Sequence, residues 1–176
     1  MTSVAETNNR FAAVLDNFVL SIGRWCSWFN VALILVIILQ VVLRYVFGKG
    51  LVVLEEVQWH LYCVGVVFGM SYCQSADSHI RLDLIHERMS RRTKEWIEIF
   101  GIIFLLMPMI YVIFFHGLDF FWEAVKVNER SDAPLGLCCR WLPKSLIPIS
   151  MFLMFLSALA RLAKAFTYLK TTKKGA

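Results

Sequence analysis

The sequence predicts an all-α integral membrane protein: four transmembrane helices plus amphipathic helices at the membrane surface. Three observations predict it. Hydrophobic residues make up 59% of the 176-residue chain and mean hydropathy is +0.63, above the apolar share of a soluble domain. A domain this small could not hide that much apolar surface from water. The apolar residues also come in runs about as long as a bilayer core is thick, and the charges gather between those runs. Backbone groups in lipid must be satisfied within their own segment, so the runs are helices rather than open strands.

Residues 1–24 form the N-terminal segment. "MTSVAETNNRFAAVLDNF" lacks a basic start followed by an apolar core, and Asp16 interrupts it, so it does not read as a signal peptide. Phe11, Val14, Leu15, Phe18, Val19 and Ile22 recur at helical spacing, which predicts a short amphipathic helix over 11–24 lying on the cytoplasmic surface. The spans follow at about 25–47, 54–74, 96–117 and 146–162. The first contains "VALILVIILQVVL" and the third "IFGIIFLLMPMIYVIFF", neither with a charge. In the third, "HGLDFFWEAVKVNERSD" keeps helical spacing to about residue 129. That is too long to cross once upright, so the helix is tilted, kinked near Pro108 or projecting. Ser90 is placed to cap it, with Glu95 in its first turn. "SDAPLGL" then breaks the helix at Pro134 and Gly136. Residues 163–176 are a basic tail.

Orientation follows from Lys and Arg. With both termini cytoplasmic, twelve basic residues lie inside and six outside. The net charge of +5 then reflects topology and anionic headgroups. No basic stripe on a soluble domain points to nucleic acid. The bilayer is the first partner.

Charges inside a membrane usually mark ion paths or proton relays, and the middle of these spans has none. The chain reads as a scaffold, not a carrier or an enzyme. Arg44 closes the first span at the level where Glu55 and Glu56 open the second. A pair across that hairpin is either a packing salt bridge or a contact with another subunit. Gly65, Gly69 and Cys73 form a small-residue stripe that would let a helix of this chain or another approach closely. His60 and His116 fall at similar depth on antiparallel spans, the arrangement of a haem b anchor. A haem or quinone anchor of a membrane oxidoreductase is therefore the rival reading. In "ADSHIRLDLIHERMSRR", His79 and His86 stand two helical turns apart with Asp83 between them, a conceivable metal set. A short interfacial helix explains the stretch better. Its apolar side is Ile80, Leu82, Leu84, Ile85 and Met89. Its basic heads are Arg81, Arg88, Arg91 and Arg92. Among the five cysteines, Cys138 and Cys139 are adjacent. Adjacent residues rarely pair without strain, so these are expected free. No cofactor is expected.

The segment "LRYVFGKGLVVLEEVQWHLYCVGVVFGMSYCQSADSHIRLDLIHERMS" resembles the small membrane subunit of tripartite ATP-independent periplasmic (TRAP) transporters. The features that carry the resemblance are Arg44-Tyr45-x-Phe47, Glu55-Glu56, Gly65 with Gly69, and His79-Ile80 followed by Asp83. It extends over about residues 15 to 165. Leu54 stands where the family often has Trp, and the region of His60 where it often has Arg. "NERSDAPLGLCCRWLPKSLIP" resembles the branch that takes 2-oxo acids and related organic acids. The resemblance implies a non-catalytic scaffold subunit of a sodium-coupled importer in the bacterial inner membrane. Its partners would be a large membrane subunit, which holds the substrate and sodium sites and moves as an elevator, and a periplasmic substrate-binding protein that docks transiently. In that setting Arg44, Glu55, Glu56, Gly65, Gly69, His79 and Asp83 would be interface or structural residues.

Overall fold

A computed structural model describes residues 10–76 and 89–174. Among them there is no strand. The helices are α1 (Arg10–Tyr45), α2 (Val52–Ser75), α3 (Arg91–Gly101), α4 (Met107–Lys126) and α5 (Trp141–Lys174). The expected sites His79, Arg81, Asp83 and Arg88, with His86, lie outside the described residues.

α1 differs from expectation. The short surface helix and the first span are one helix of 36 residues, about 54 Å long at 1.5 Å per residue. Nothing in the sequence breaks it. Gly23, the one weak point, lies against Tyr72 of α2: a Cβ there would sit 2.6 Å from the tyrosine Cδ2 and 2.8 Å from its Cβ. The apolar positions divide as well. Val19 is buried, while Val14 and Phe18 stay more than half exposed. The tail is also not separate, since α5 is helical through Lys174. α1 ends in a turn at Gly48, whose φ of +63° suits a residue without Cβ. There Lys49 N–H closes on the Leu43 carbonyl at 3.0 Å.

α3 and α4 make one rod interrupted by a π turn, Ile102–Leu106. The cause is local. Pro108 has no N–H, and its ring would crowd the carbonyl four residues back. A π turn takes up that conflict by widening one turn, and Met107 N–H reaches back five residues to the Ile102 carbonyl. Ser90 caps α3 as expected, accepting from Thr93 N–H at 3.3 Å. The rod ends at Lys126, three residues before the expected limit.

Paired contacts fix the directions. Gly23 meets Tyr72 and Gly65 meets Asn30, so α1 and α2 are antiparallel. Ser71 donates to the Ser150 carbonyl at 3.1 Å and Ser75 to Ser157 Oγ at 2.9 Å, so α2 and α5 run parallel. Gly117 of α4 faces Ile147 and Pro148 of α5, an antiparallel pairing. α5 is the central post and touches each of the other described helices. Along it Ser150, Ser157, Ala158, Ala160 and Ala165 are almost wholly buried. Small side chains let backbones close up where lipid supplies no hydrophobic force between helices. A larger apolar core of Ile102, Ile110, Met151 and Ala158 joins the π turn and α4 to α5.

Among the described residues three stretches are long and apolar enough to cross a membrane: Ala12–Tyr45, Arg91–Lys126 and Trp141–Thr171. α2 is not among them. Glu55, Glu56, Gln58 and His60 occupy its first turns, which shortens its apolar run. On α1, Val31, Ile34, Leu35 and Ile38 are each roughly half exposed, a face suited to lipid or another apolar surface.

Candidate functional site

Ionisable side chains collect at the two ends of this bundle. One, the terminal end, is where α1 and α3 begin and α2 and α5 finish. The other, the hairpin end, is where α1 turns into α2 and residues 127–140 connect α4 to α5.

At the hairpin end the two glutamates face different ways, because neighbours on a helix diverge by about 100°. Glu55 turns to α1. It accepts from Gln40 Nε2 at 3.3 Å and lies 4.0 Å from Arg44 Nη1, with 66% of the arginine side chain and 50% of the glutamate exposed. Glu56 turns to the 127–140 connection. Its Oε1 accepts from the Ser131 hydroxyl, and its Oε2 from Leu137 N–H at 2.5 Å. The loop is shaped for this contact. Gly136 lies so close that a Cβ would come within 2.9 Å of Glu56 Oε1. Ser131 N–H donates to the Leu137 carbonyl at 3.2 Å, and Arg140 N–H to the Glu129 carbonyl at 3.1 Å. Beside these contacts Arg140 reaches Asp132 at 3.1 Å, and Lys144 pairs with Glu129 while lying 3.8 Å from the Phe120 ring centre. Three residues with side chains take positive φ here: Asn128 at 46°, Leu135 at 72° and Cys139 at 69°. A bulky residue holds such a conformation only where its surroundings impose it.

Sequence reasoning missed the terminal end. Arg161 of α5 forms a two-point contact with Glu98 of α3, its Nε 2.5 Å from Oε1 and its Nη2 on Oε2. Nη2 also lies 3.4 Å from Glu95. One turn on, Lys164 pairs with Asp16 of α1. Only 14% of the Arg161 side chain and 13% of Glu95 are exposed. Arg91 stacks over Tyr168 at 4.8 Å from the ring centre, so its expected place on the membrane surface is shared with a contact to α5. Arg92 is exposed. A signal was available: Glu95/Glu98 and Arg161/Lys164 are both spaced by three, one face of a helix.

The small-residue stripe is split. Gly65 meets the Asn30 amide, whereas a Cβ at Gly69 would meet nothing within 4 Å. His60 Nδ1 lies 2.5 Å from the Glu56 carbonyl of its own helix, which makes that nitrogen a donor, and His116 is exposed. Among the described residues no group of three or more His, Cys, Asp or Glu is placed to hold a metal ion. The π turn leaves a largely apolar groove of about 550 Å³ between α4 and α5, lined by Met107, Pro108, Tyr111, Phe115, Phe152 and Phe155. Among its lining side chains only the Tyr111 hydroxyl carries a hydrogen-bonding group.

No curated protein matches the chain. A family model does match it over residues 33–167: tripartite ATP-independent periplasmic transporters, DctQ component.

Proposed function

Because the chain belongs to the DctQ-component family of TRAP transporters, members of which work within a tripartite complex, we propose that it is the non-catalytic scaffold subunit of a sodium-coupled, binding-protein-dependent importer of an organic acid. The observation that carries this reading is the distribution of charge. Among the described residues the ion pairs sit at the ends of the bundle, and the helices between them are joined by a serine hydroxyl and by close contact at glycine. A carrier would place ionisable or backbone groups at mid-membrane for its cargo. This chain instead has cross-braced rods, which suit a fixed frame beside a moving subunit.

In this reading α2 is the fourth crossing. Its 24 residues cover about 36 Å, and the Glu55 and Glu56 contacts sit at its outer edge. Both termini are cytoplasmic in the bacterial inner membrane, with the hairpin end at the periplasmic face. The large membrane subunit holds the substrate and sodium sites, and the binding protein delivers the cargo. Arg44, Glu55, Glu56, Gly65 and Gly69 hold the subunit's shape or face the large subunit, and His79 and Asp83 belong to the same set. Arg81, Arg88, Arg91 and Arg92 rest at the inner leaflet.

The test is reconstitution. The large subunit, purified with and without this chain, is placed in vesicles with the binding protein and a sodium gradient. Uptake that needs this chain, together with its co-purification with the large subunit, is the expected result. Full uptake without it, or independent sodium-driven uptake by this chain alone, would overturn the scaffold reading.

A further inference from the structure

Cys138 and Cys139 follow directly on the segment that Glu56 holds. Their sulfurs lie 3.2 Å apart, both thiols are free, and Cys138 is exposed. Cys139 has the left-handed φ of 69°, a conformation imposed by the bonds on either side. Leu137 N–H is fixed on Glu56, and Arg140 N–H on the Glu129 carbonyl. The loop therefore holds two thiols in contact that a relaxed chain would leave apart. We propose that Cys138 and Cys139 are a modification site: a vicinal dithiol that closes to a disulfide by exchange with a small-molecule or protein disulfide and reopens with thiols.

The chemistry balances without a metal or oxygen. The Cys138 thiolate attacks one sulfur of an incoming disulfide, forming a mixed disulfide and expelling one thiolate. The Cys139 sulfur, its proton lost to solvent, then attacks the Cys138 sulfur. The second thiolate leaves, and the Cys138–Cys139 bond is formed. Two cysteine sulfurs are oxidised and one external disulfide is reduced to two thiols, which take up the two protons. The order of attack follows from the pair itself. Cys139 donates its S–H to Cys138, and this bond, with some burial, pushes its pKa up. Cys139 therefore keeps its proton while the exposed Cys138 meets the reagent. Closure is reversible because adjacent Cα atoms are about 3.8 Å apart, inside the roughly 4.4 Å lower limit of relaxed disulfides. Strained disulfides are the readily reduced ones. Closing the ring also moves the peptide between the Leu137 and Arg140 anchors, so the oxidation state acts on the Glu56 contact. Exposure to oxidants in the cell rests on the periplasmic placement of the hairpin end proposed above.

Trypsin makes the test direct, since the peptide Ser131–Arg140 holds both cysteines and no other. The chain, purified with its large subunit, is treated with oxidised glutathione, quenched in acid, alkylated and digested. A peptide lighter by two hydrogens and unalkylated is expected, returning to the doubly alkylated form after dithiothreitol. C138S should instead stop with glutathione on Cys139, or unmodified. A wild-type peptide that stays doubly alkylated, or that carries a persistent glutathione adduct, would overturn the proposal. A membrane-impermeant maleimide on intact spheroplasts, first reduced with dithiothreitol and washed, separates the two readings: failure to label Cys138 there, with ring closure in the purified complex, overturns the periplasmic placement and leaves the dithiol standing.

Discussion

The two ends of the bundle use the same kinds of residue to different effect. At the terminal end, Arg161 and Lys164 join α5 to α3 and α1 through side chains largely withdrawn from solvent. At the hairpin end, Arg44 and Glu55 are at least half exposed and only just within ion-pair reach. Exposed pairs contribute roughly 0–1 kcal/mol, whereas removing one partner of a buried pair costs about 3–5 kcal/mol. An ion pair's weight is thus set by what surrounds it. The hairpin end also holds one withdrawn pair, Lys144 with Glu129, and its loop is tied by the backbone and hydroxyl donors that Glu56 accepts.

The largest expected effect tests that contrast. Arg161→Leu leaves Glu95 and Glu98 without their guanidinium and should lower stability in detergent by about 3–5 kcal/mol, read from denaturant unfolding. A loss no greater than that of Arg44→Ala would erase the difference between the ends. Next come the glycines between them. Gly23→Ala drives a methyl into Tyr72 and should cost about 1–3 kcal/mol. Gly69→Ala meets open space and should be neutral or stabilising by up to about 1 kcal/mol from helix propensity. Equal losses at both would show that Gly69 is packed against a neighbour as closely as Gly23. Glu56→Ala should act locally, speeding trypsin cleavage after Arg130 several-fold while the unfolding midpoint barely moves; a cleavage rate equal to wild type would show that the loop does not depend on Glu56. Arg44→Ala should be the smallest, about 0.5 kcal/mol or less, and smaller still in high salt.

Much of the fold was legible in the sequence because lipid makes composition informative. Runs of apolar residues have to be helices, and a bilayer fixes their length. Pro108, Ser90, Pro134 and Gly136 act within a few residues of themselves, so a disturbance of the helix near Pro108, the cap and the turn were readable too. The site was half legible. The Arg44–Glu55 pair follows from a short hairpin that brings neighbours in sequence together. The Arg161–Glu98 contact spans 63 residues, and its arginine reads along the chain as the start of a basic tail. The separate N-terminal helix was misjudged because apolar spacing shows that a helix has a face, not where the helix stops.

The sequence by itself determined that this is an all-helical membrane protein of the DctQ family with its charges kept out of the middle, because the period and length of apolar runs are properties of the chain. Only the tertiary structure decided which way each charge points. It turned Glu55 and Glu56 to different partners, withdrew Arg161 from water, left Gly69 open while closing Gly23 and Gly65, and pressed two adjacent thiols together. Each of these outcomes depends on the register at which separate helices meet. That register is set by small-residue packing along α5 and by the geometry of one loop, not by any single segment.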